Sequence, residues 1–330
     1  MPFELREMDF GTIIDRGVKL FTKNFATLVV LMGIFFGPFA FASNFGFSLI
    51  RENVNQEKLV QILLDIAKDP ENFMQVLNPL VEMFANTETQ KFLNFVQIIS
   101  GLLLLIIPLA YLCIMRVLSE HLSGNKPSLG DVIRFGAARF WVLFAAVLLS
   151  LLYFSVIIVI VSFILSFLAI IVTGNPITAS VLIILMYGVL GFFLMMINVL
   201  LPCVVCMEDV GARSAIKRAW FLLRGFMWRT FAIFLLTALG VAIITQVFMS
   251  VGGAIGERIH GIPGHTFVAA VSMLFIVIFR PVTLAVVFLL YIDLRIRKEG
   301  FDLNILAERA YGIITNSVIP SPEGNNDFGN

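Results

Sequence analysis

The chain has 330 residues, 59% of them hydrophobic and only 14% charged, with a mean hydropathy of +0.96 and a net charge of +1. That apolar fraction exceeds what a water-soluble domain can bury, so composition excludes a soluble globular fold and specifies an integral membrane protein. With 33 Phe, 13 Met and 24 Gly against three His and three Cys, the residue choice favours lipid-facing bulk and close helix packing over a polar active site.

The first ten residues, MPFELREMDF, are polar and acidic, and no small-residue cleavage site follows a short apolar core, so the first span is expected to serve as its own insertion signal. From Asp9, a suitable N-cap, residues 10–25 carry helical amphipathicity. Phe10, Ile13, Ile14, Gly17 and Phe21 share one face, and Asp15, Arg16, Lys19 and Lys23 the other. Six runs are then long and apolar enough to cross a hydrocarbon core of roughly 30 Å, which needs about 20 helical residues. They are 26–50, 93–115, 141–172, 178–206, 230–256 and 267–292. None shows the dyad alternation of a barrel strand, so these are helices, and the fold class is an all-α polytopic membrane protein.

Between the first two spans, 51–91 carries seven acidic and four basic residues and reads as two amphipathic helices, QEKLVQILLDIAK and PENFMQVLNPLVEMF. Asp69 before Pro70 starts the second. They are expected to cap the bundle, to lie on the outer leaflet, or to dock an extracytoplasmic partner. After the second span, Ser128 and Asp131 are spaced as a capping box before the amphipathic stretch LGDVIRFGAARFWVLF (129–144). The third run, Phe140 to Val172, has 33 residues. It would reach roughly 50 Å, so it must tilt strongly, break or extend beyond the bilayer, before TGNPIT (173–178) ends it. Cys203 and Cys206 share a face of the fourth span and, with Cys113 of the second, read as small buried thiols rather than a redox pair.

Before the fifth span, ARSAIKRAWFLLRGFMWR (212–229) repeats the amphipathic pattern, with Ala212, Ala215, Ile216, Ala219 and Leu223 against Arg213, Lys217, Arg218 and Arg224. Trp220 and Trp228 are expected at headgroup depth. His260 and His265, in the loop that follows the fifth span, have no adjoining Cys, so no metal site is expected and no cofactor is implied. Past the sixth span, 293–307 is basic and then amphipathic, suited to a membrane surface. The Asn-, Pro-, Gly- and Ser-rich stretch 316–330 is expected to be a disordered cytoplasmic tail, leaving 1–315 as a single integral membrane domain.

Charge sets the orientation, because basic loops are retained in the cytoplasm. Lys and Arg number four in the N-terminal segment, four in 116–139, five in 207–229 and four in the tail, against four in 51–91, none in 173–178 and one at Arg258. Both termini are therefore expected in the cytoplasm. On that side lie three related stretches. Gly11, Ile14, Gly17 and Phe25 match Gly130, Ile133, Gly136 and Phe144 at one constant offset, and Asp209-Val210-Gly211 opens a third copy that runs two residues out of step. Each copy precedes an odd-numbered span. The expected architecture is three units, each an interfacial elbow helix followed by a membrane hairpin.

No span contains Asp or Glu, which removes an intramembrane aspartyl protease and a carboxylate proton relay. One charge does lie mid-span. Arg280 is 13 residues from each end of 267–293, roughly 20 Å by helical rise, too deep to snorkel. Either acceptors within the bundle satisfy it, with Asn198, Gln246 and the Val277 carbonyl freed by Pro281 as candidates, or it holds an anion in an interior cavity. Arg213, Lys217, Arg218, Arg224, Arg229, Arg295, Arg297 and Lys298 are the candidate headgroup contacts at the cytoplasmic interface. Nucleic acid is not an expected partner, because these charges lie against the membrane and no nucleic-acid-binding motif accompanies them.

Two stretches, LPCVVCMEDVGARSAIKRAWFLLRGFMWRTFAIFLL (201–236) and YIDLRIRKEGFDLNILA (291–307), resemble the membrane domain associated with bacterial glycerophosphoryl diester phosphodiesterases. Pro202, Glu208, Ala215, Arg218, Trp220 and Gly225 carry the first part of the likeness, and Asp293, Leu294, Arg295, Arg297, Lys298, Glu299 and Gly300 the second. The resemblance implies a bacterial inner membrane. It transfers no catalysis, because the hydrolytic barrel of such enzymes has no counterpart here and the three His are scattered. Two functions fit the sequence. One is a noncatalytic scaffold or accessory protein binding lipid headgroups or a partner enzyme. The other is a lipid or small-solute transporter with Arg280 in an interior anion-binding cavity.

Overall fold

The structure, a computed structural model, describes residues 7–53, 61, 64, 87–124, 128–173, 176–256 and 264–300. Among them the regular structure is helical throughout: α1 Phe10–Lys23, α2 Phe25–Phe35, α3 Gly37–Asn53, α4 Thr87–Leu122, α5 Leu129–Thr173, α6 Pro176–Met207, α7 Ala212–Leu223, α8 Met227–Gly256 and α9 Gly264–Glu299. Helices α4, α5, α6, α8 and α9 are each long and apolar enough to cross a membrane, and α1 with α2 forms a further apolar pair bent by 80°. The protein is a polytopic all-α membrane protein.

The elbows form where the chain carries a breaker. After α1, Asn24 donates its side-chain amide to the Leu20 carbonyl at 2.9 Å and its backbone N–H to Phe21. This closes the amphipathic helix and lets α2 leave at a steep angle. After α7, Gly225 takes φ +92°, a left-handed conformation that costs Gly nothing, and α8 begins two residues later. The second elbow is not a separate helix. From Gly136 to the end of the span there is no Gly, Pro or Asn to stop the helix, so the elbow runs straight into the third span as one helix of 45 residues. At roughly 68 Å, α5 extends well past a hydrocarbon core rather than breaking.

The first span also departs from expectation. Instead of one helix over 26–50, α2 ends at Phe35 and α3 starts at Gly37, with Pro38 in its first turn. Proline lacks an N–H, so in the first turn, where no intrahelical bond is due, the ring costs the helix no hydrogen bond. Of the expected capping box one half forms: Ser128 Oγ accepts from the Asp131 N–H at 3.2 Å, while the Asp131 carboxylate takes the Ser128 hydroxyl at 2.7 Å in place of its backbone N–H. Asp9 stands at its N-cap position without a side-chain cap bond, and α7 is capped by Gly211, with Asp209 paired instead to Arg139. Of the two helices expected within 51–91 only residues 61 and 64 are described, both helical; 316–330 lies outside the described residues, and 87–91 are the first turn of α4.

The elbows close a ring. Helix α1 packs across α9, the first turns of α5 across α4, and α7 across α6. Each elbow thus grips the returning span of the hairpin before it, and the first grips the last. Small residues make these crossings close. A Cβ on Gly17 would stand 2.5 Å from Val286 Cγ2 and 3.0 Å from its Cα, and one on Gly136 would stand 2.7 Å from Cys113 Sγ. In the third unit Ala219 holds the matching place and has no accessible surface. Val286 lies five residues after Pro281 and Cys113 five after Pro108, so the returning spans repeat as well as the elbows.

The tightest packing follows from this ring. Residues around 110–118 of α4, 196–206 of α6 and 284–296 of α9 are almost entirely buried at the elbow end. The far halves of α5 and α8 present Phe163, Phe167, Ile243 and Val247 outward, as lipid-facing surfaces do.

Candidate functional site

Four of the eight basic residues expected to face headgroups, Arg218, Arg229, Arg295 and Arg297, are committed to carboxylates of the protein itself. Asp293, which has no accessible surface, accepts from the Met8 N–H at 2.9 Å, Arg297 Nε at 3.0 Å and Arg229 Nη2 at 3.2 Å. Arg229 and Arg297 also donate to the Met8 carbonyl, and Arg297 reaches Glu7 at 2.9 Å. The two ends of the described chain therefore meet on one face of the protein.

Alongside, Glu208 accepts from Arg218 Nε at 2.7 Å and from the Tyr291 hydroxyl at 2.8 Å. Arg218 also pairs with Glu299, which takes Arg295 at 3.3 Å. Burial alone would lower the Arg218 pKa, but its bonds to Glu299 and Glu208 outweigh that and raise it. The two stretches that carry the family resemblance thus come together as one ion-paired cluster binding the third elbow to the end of α9. Arg213, Lys217 and Arg224 remain exposed on and just after α7, with Trp220 and Trp228 also outward. Lys298 lies over the Phe221 and Phe226 rings at 5.4 and 5.7 Å.

Arg280 is elsewhere, about 20 Å along α9 from Asp293 by helical rise. It borders a cavity of about 460 Å³ walled by α6, α8 and α9 with Tyr111 of α4. Its Nε and Nη2 both donate to the Tyr111 hydroxyl oxygen, at 3.0 and 2.8 Å, and its guanidinium carbon lies 4.7 Å from the Phe36 ring centroid. Nη1 has no protein partner among the described residues, and no Asp or Glu lines the cavity. Of the three expected acceptors, Asn198 shares the cavity, but its Oδ1 accepts from Ser150 at 3.1 Å and its Nδ2 donates to the Leu194 carbonyl. Gln246 is exposed and outside the cavity lining, which Thr245 joins instead, and the bonds of Arg280 go to Tyr111 rather than to Val277.

The repeat shows that this arrangement joins two positions, one in the third unit and one in the first, that the other units do not reproduce. Immediately before the prolines of the three returning spans stand Ile107, Leu201 and Arg280; three residues after them stand Tyr111, Val205 and Leu284. A guanidinium and a phenol occupy places that are aliphatic in the other units. Helix α8 packs along α9 and meets α6 through Phe192, which contacts Phe231 at 4.9 Å and Trp228 at 5.7 Å. Beyond that aromatic contact the cavity is a cleft between α6 and α8, with Met195 and Ala242 exposed on its rim. Its size lies within the 300–1,000 Å³ typical of ligand pockets. Compared with family models, curated proteins and solved structures, the chain matches none.

Proposed function

We propose that the protein handles lipid: it admits an anionic amphiphile from the bilayer between α6 and α8, holds its charged group on Arg280, and passes it across the membrane. The observation that carries this reading is Arg280, a mid-span cation with an unused donor facing a cleft that contains no acid. A charge at that depth costs several kcal/mol unless something meets it, and its place is aliphatic in both related units. In proteoliposomes, translocation of a fluorescent anionic lipid should depend on the protein and be lost in Arg280→Leu. Equal rates in protein-free vesicles would refute it.

In this reading the protein resides in a bacterial inner membrane with both termini cytoplasmic, supported by the basic residues at the elbow end and by the resemblance to phosphodiesterase membrane domains. A second function, a noncatalytic scaffold for lipid headgroups or a partner enzyme, is favoured by the exposed Arg213, Lys217 and Arg224. Stoichiometric co-purification of a partner, lost when all three become Glu, would support it.

A further inference from the structure

We infer that the Arg280 cleft selects a lipid whose headgroup carries a single negative charge, a carboxylate or a phosphodiester; this rests on the reading of the cleft as a binding site. Charge balance gives the first reason. One guanidinium lines the cleft and, among the described residues, no carboxylate or second cation does. In a low-dielectric cavity a monoanion is neutralised there, whereas a dianion would bury an unmatched charge.

Donor geometry gives the second reason. The side-on edge of the guanidinium, formed by Nε and Nη2, is held by Tyr111. What remains is the end-on edge, both N–H groups of Nη1 with the second N–H of Nη2, a single fork that fits the two oxygens of one carboxylate or phosphodiester. The wall gives the third. Around the charge, Thr283 and the second amide N–H of Asn198 are suited to ester or hydroxyl oxygens, Thr245 gives its hydroxyl proton to the Val241 carbonyl at 2.8 Å and is left an acceptor, and much of the remaining lining is apolar, including Met195, Ala238 and Val241. A free inorganic anion would lose its hydration against that surface and gain little, while an acyl chain gains by burial. The open side between α6 and α8 lets such a chain enter without leaving the bilayer.

The test uses the purified full-length chain and native mass spectrometry at pH 9, with equal amounts of oleate, phosphatidylglycerol, phosphatidic acid, phosphatidylcholine and oleyl alcohol offered singly. At that pH the phosphate monoester of phosphatidic acid is a dianion, since its second ionisation lies near 6. Oleate or phosphatidylglycerol, or both, should be retained roughly tenfold above the neutral lipids, the worth of one charge-assisted hydrogen bond, with phosphatidic acid below them. Retention of oleate alone assigns a carboxylate and of phosphatidylglycerol alone a phosphodiester; either supports the single charge.

Arg280→Leu should drop the monoanions to the neutral level, with Arg280→Lys between. Tyr111→Phe, which frees the side-on edge as a second fork, should raise phosphatidic acid relative to phosphatidylglycerol. Phosphatidic acid bound as well as the monoanions by the native protein, and lost with them in Arg280→Leu, would leave the site standing and overturn the charge selectivity. Lipid retention that ignores Arg280 altogether would overturn both. If Arg280→Leu does not fold, Ala238→Phe decides: it fills the cleft and leaves the cation in the chain, and an undiminished preference for monoanions would refute the inference.

Discussion

Replacing Gly17 with Ala and comparing it with Gly11→Ala separates packing from helix propensity within a single helix. Both glycines lie in α1, and both substitutions gain up to about 1 kcal/mol from the lost backbone freedom of glycine. They differ in surroundings. A Cβ at Gly11 meets nothing within 4 Å, while at Gly17 it falls 2.5 Å from a Val286 methyl and 3.0 Å from the Val286 Cα. The methyl can rotate aside; the Cα cannot, so α1 and α9 must move apart by a few tenths of an ångström along their contact. Overpacking of this kind costs about 1–3 kcal/mol, and the shared propensity gain cancels in the comparison. Thermal unfolding in a mild detergent, followed by the loss of the monodisperse chromatographic peak, should therefore rank Gly11→Ala above the native protein and Gly17→Ala at least about 1 kcal/mol below Gly11→Ala. Gly136→Ala belongs between them, because the Sγ of Cys113 that it meets is the end of a movable side chain. Val286→Ala added to Gly17→Ala should recover part of the loss as a favourable coupling. Equal stability of Gly11→Ala and Gly17→Ala would refute the close crossing of α1 on α9.

Asp293→Ala removes the carboxylate between Arg229 and Arg297 and leaves both guanidiniums without it, so it should cost about 3–5 kcal/mol and expose the chain near Met8 to protease; Asp293→Asn, which still accepts the Met8 N–H, should cost less. Glu208→Gln keeps an acceptor for Tyr291 but loses the charge opposite Arg218, and a loss of about 1.5–3 kcal/mol is expected by the same unfolding assay, with Glu208→Ala losing more. In a background without native cysteines, Val60→Cys should react with an impermeant thiol reagent applied outside the cell and Lys217→Cys should not; the reverse would overturn the charge-based orientation.

What the sequence made legible was periodic or compositional. Apolar length located the spans, and the face shared by Ile13, Gly17 and Phe21 located the first elbow because a helix repeats that face every three to four residues. The recurrence of Gly17 at Gly136 marked crossings whose physical meaning, close approach to Val286 and Cys113, needs coordinates. The fusion of the second elbow with the third span follows from an absent breaker after Gly136, which the sequence does contain. The partners of Arg280 were not legible. Tyr111 and Phe36 come from other helices, and helix periodicity says which face a residue takes but not which helix faces it. The fate of Arg218 and Arg229 was hidden for the same reason, since Glu299 and Asp293 come from another helix, whereas Arg295 and Arg297 also pair with Glu299 and Asp293 at the four-residue spacing that the sequence displays. Tyr111, a polar-tipped aromatic three residues after a proline in mid-span, was the one visible signal.

Closing the ring also sets an order of assembly. Met8 and Asp293 are separated by 285 residues, and at a synthesis rate of 5–20 residues per second the interval between making them is roughly 15–60 s. During that time α1 has no α9 to receive Ile13, Gly17 and Leu20, and its apolar face rests against the lipid surface that its basic side also favours. The second and third elbows wait far less, because α4 and α6 precede them in the chain. The first elbow to be synthesised is thus the last to dock, and docking requires Asp293, near the end of the final helix, to find the backbone of Met8. A chain cut short within α9 before Asp293 would leave that elbow without its buried carboxylate, so the passage of synthesis through α9 is registered at the first elbow.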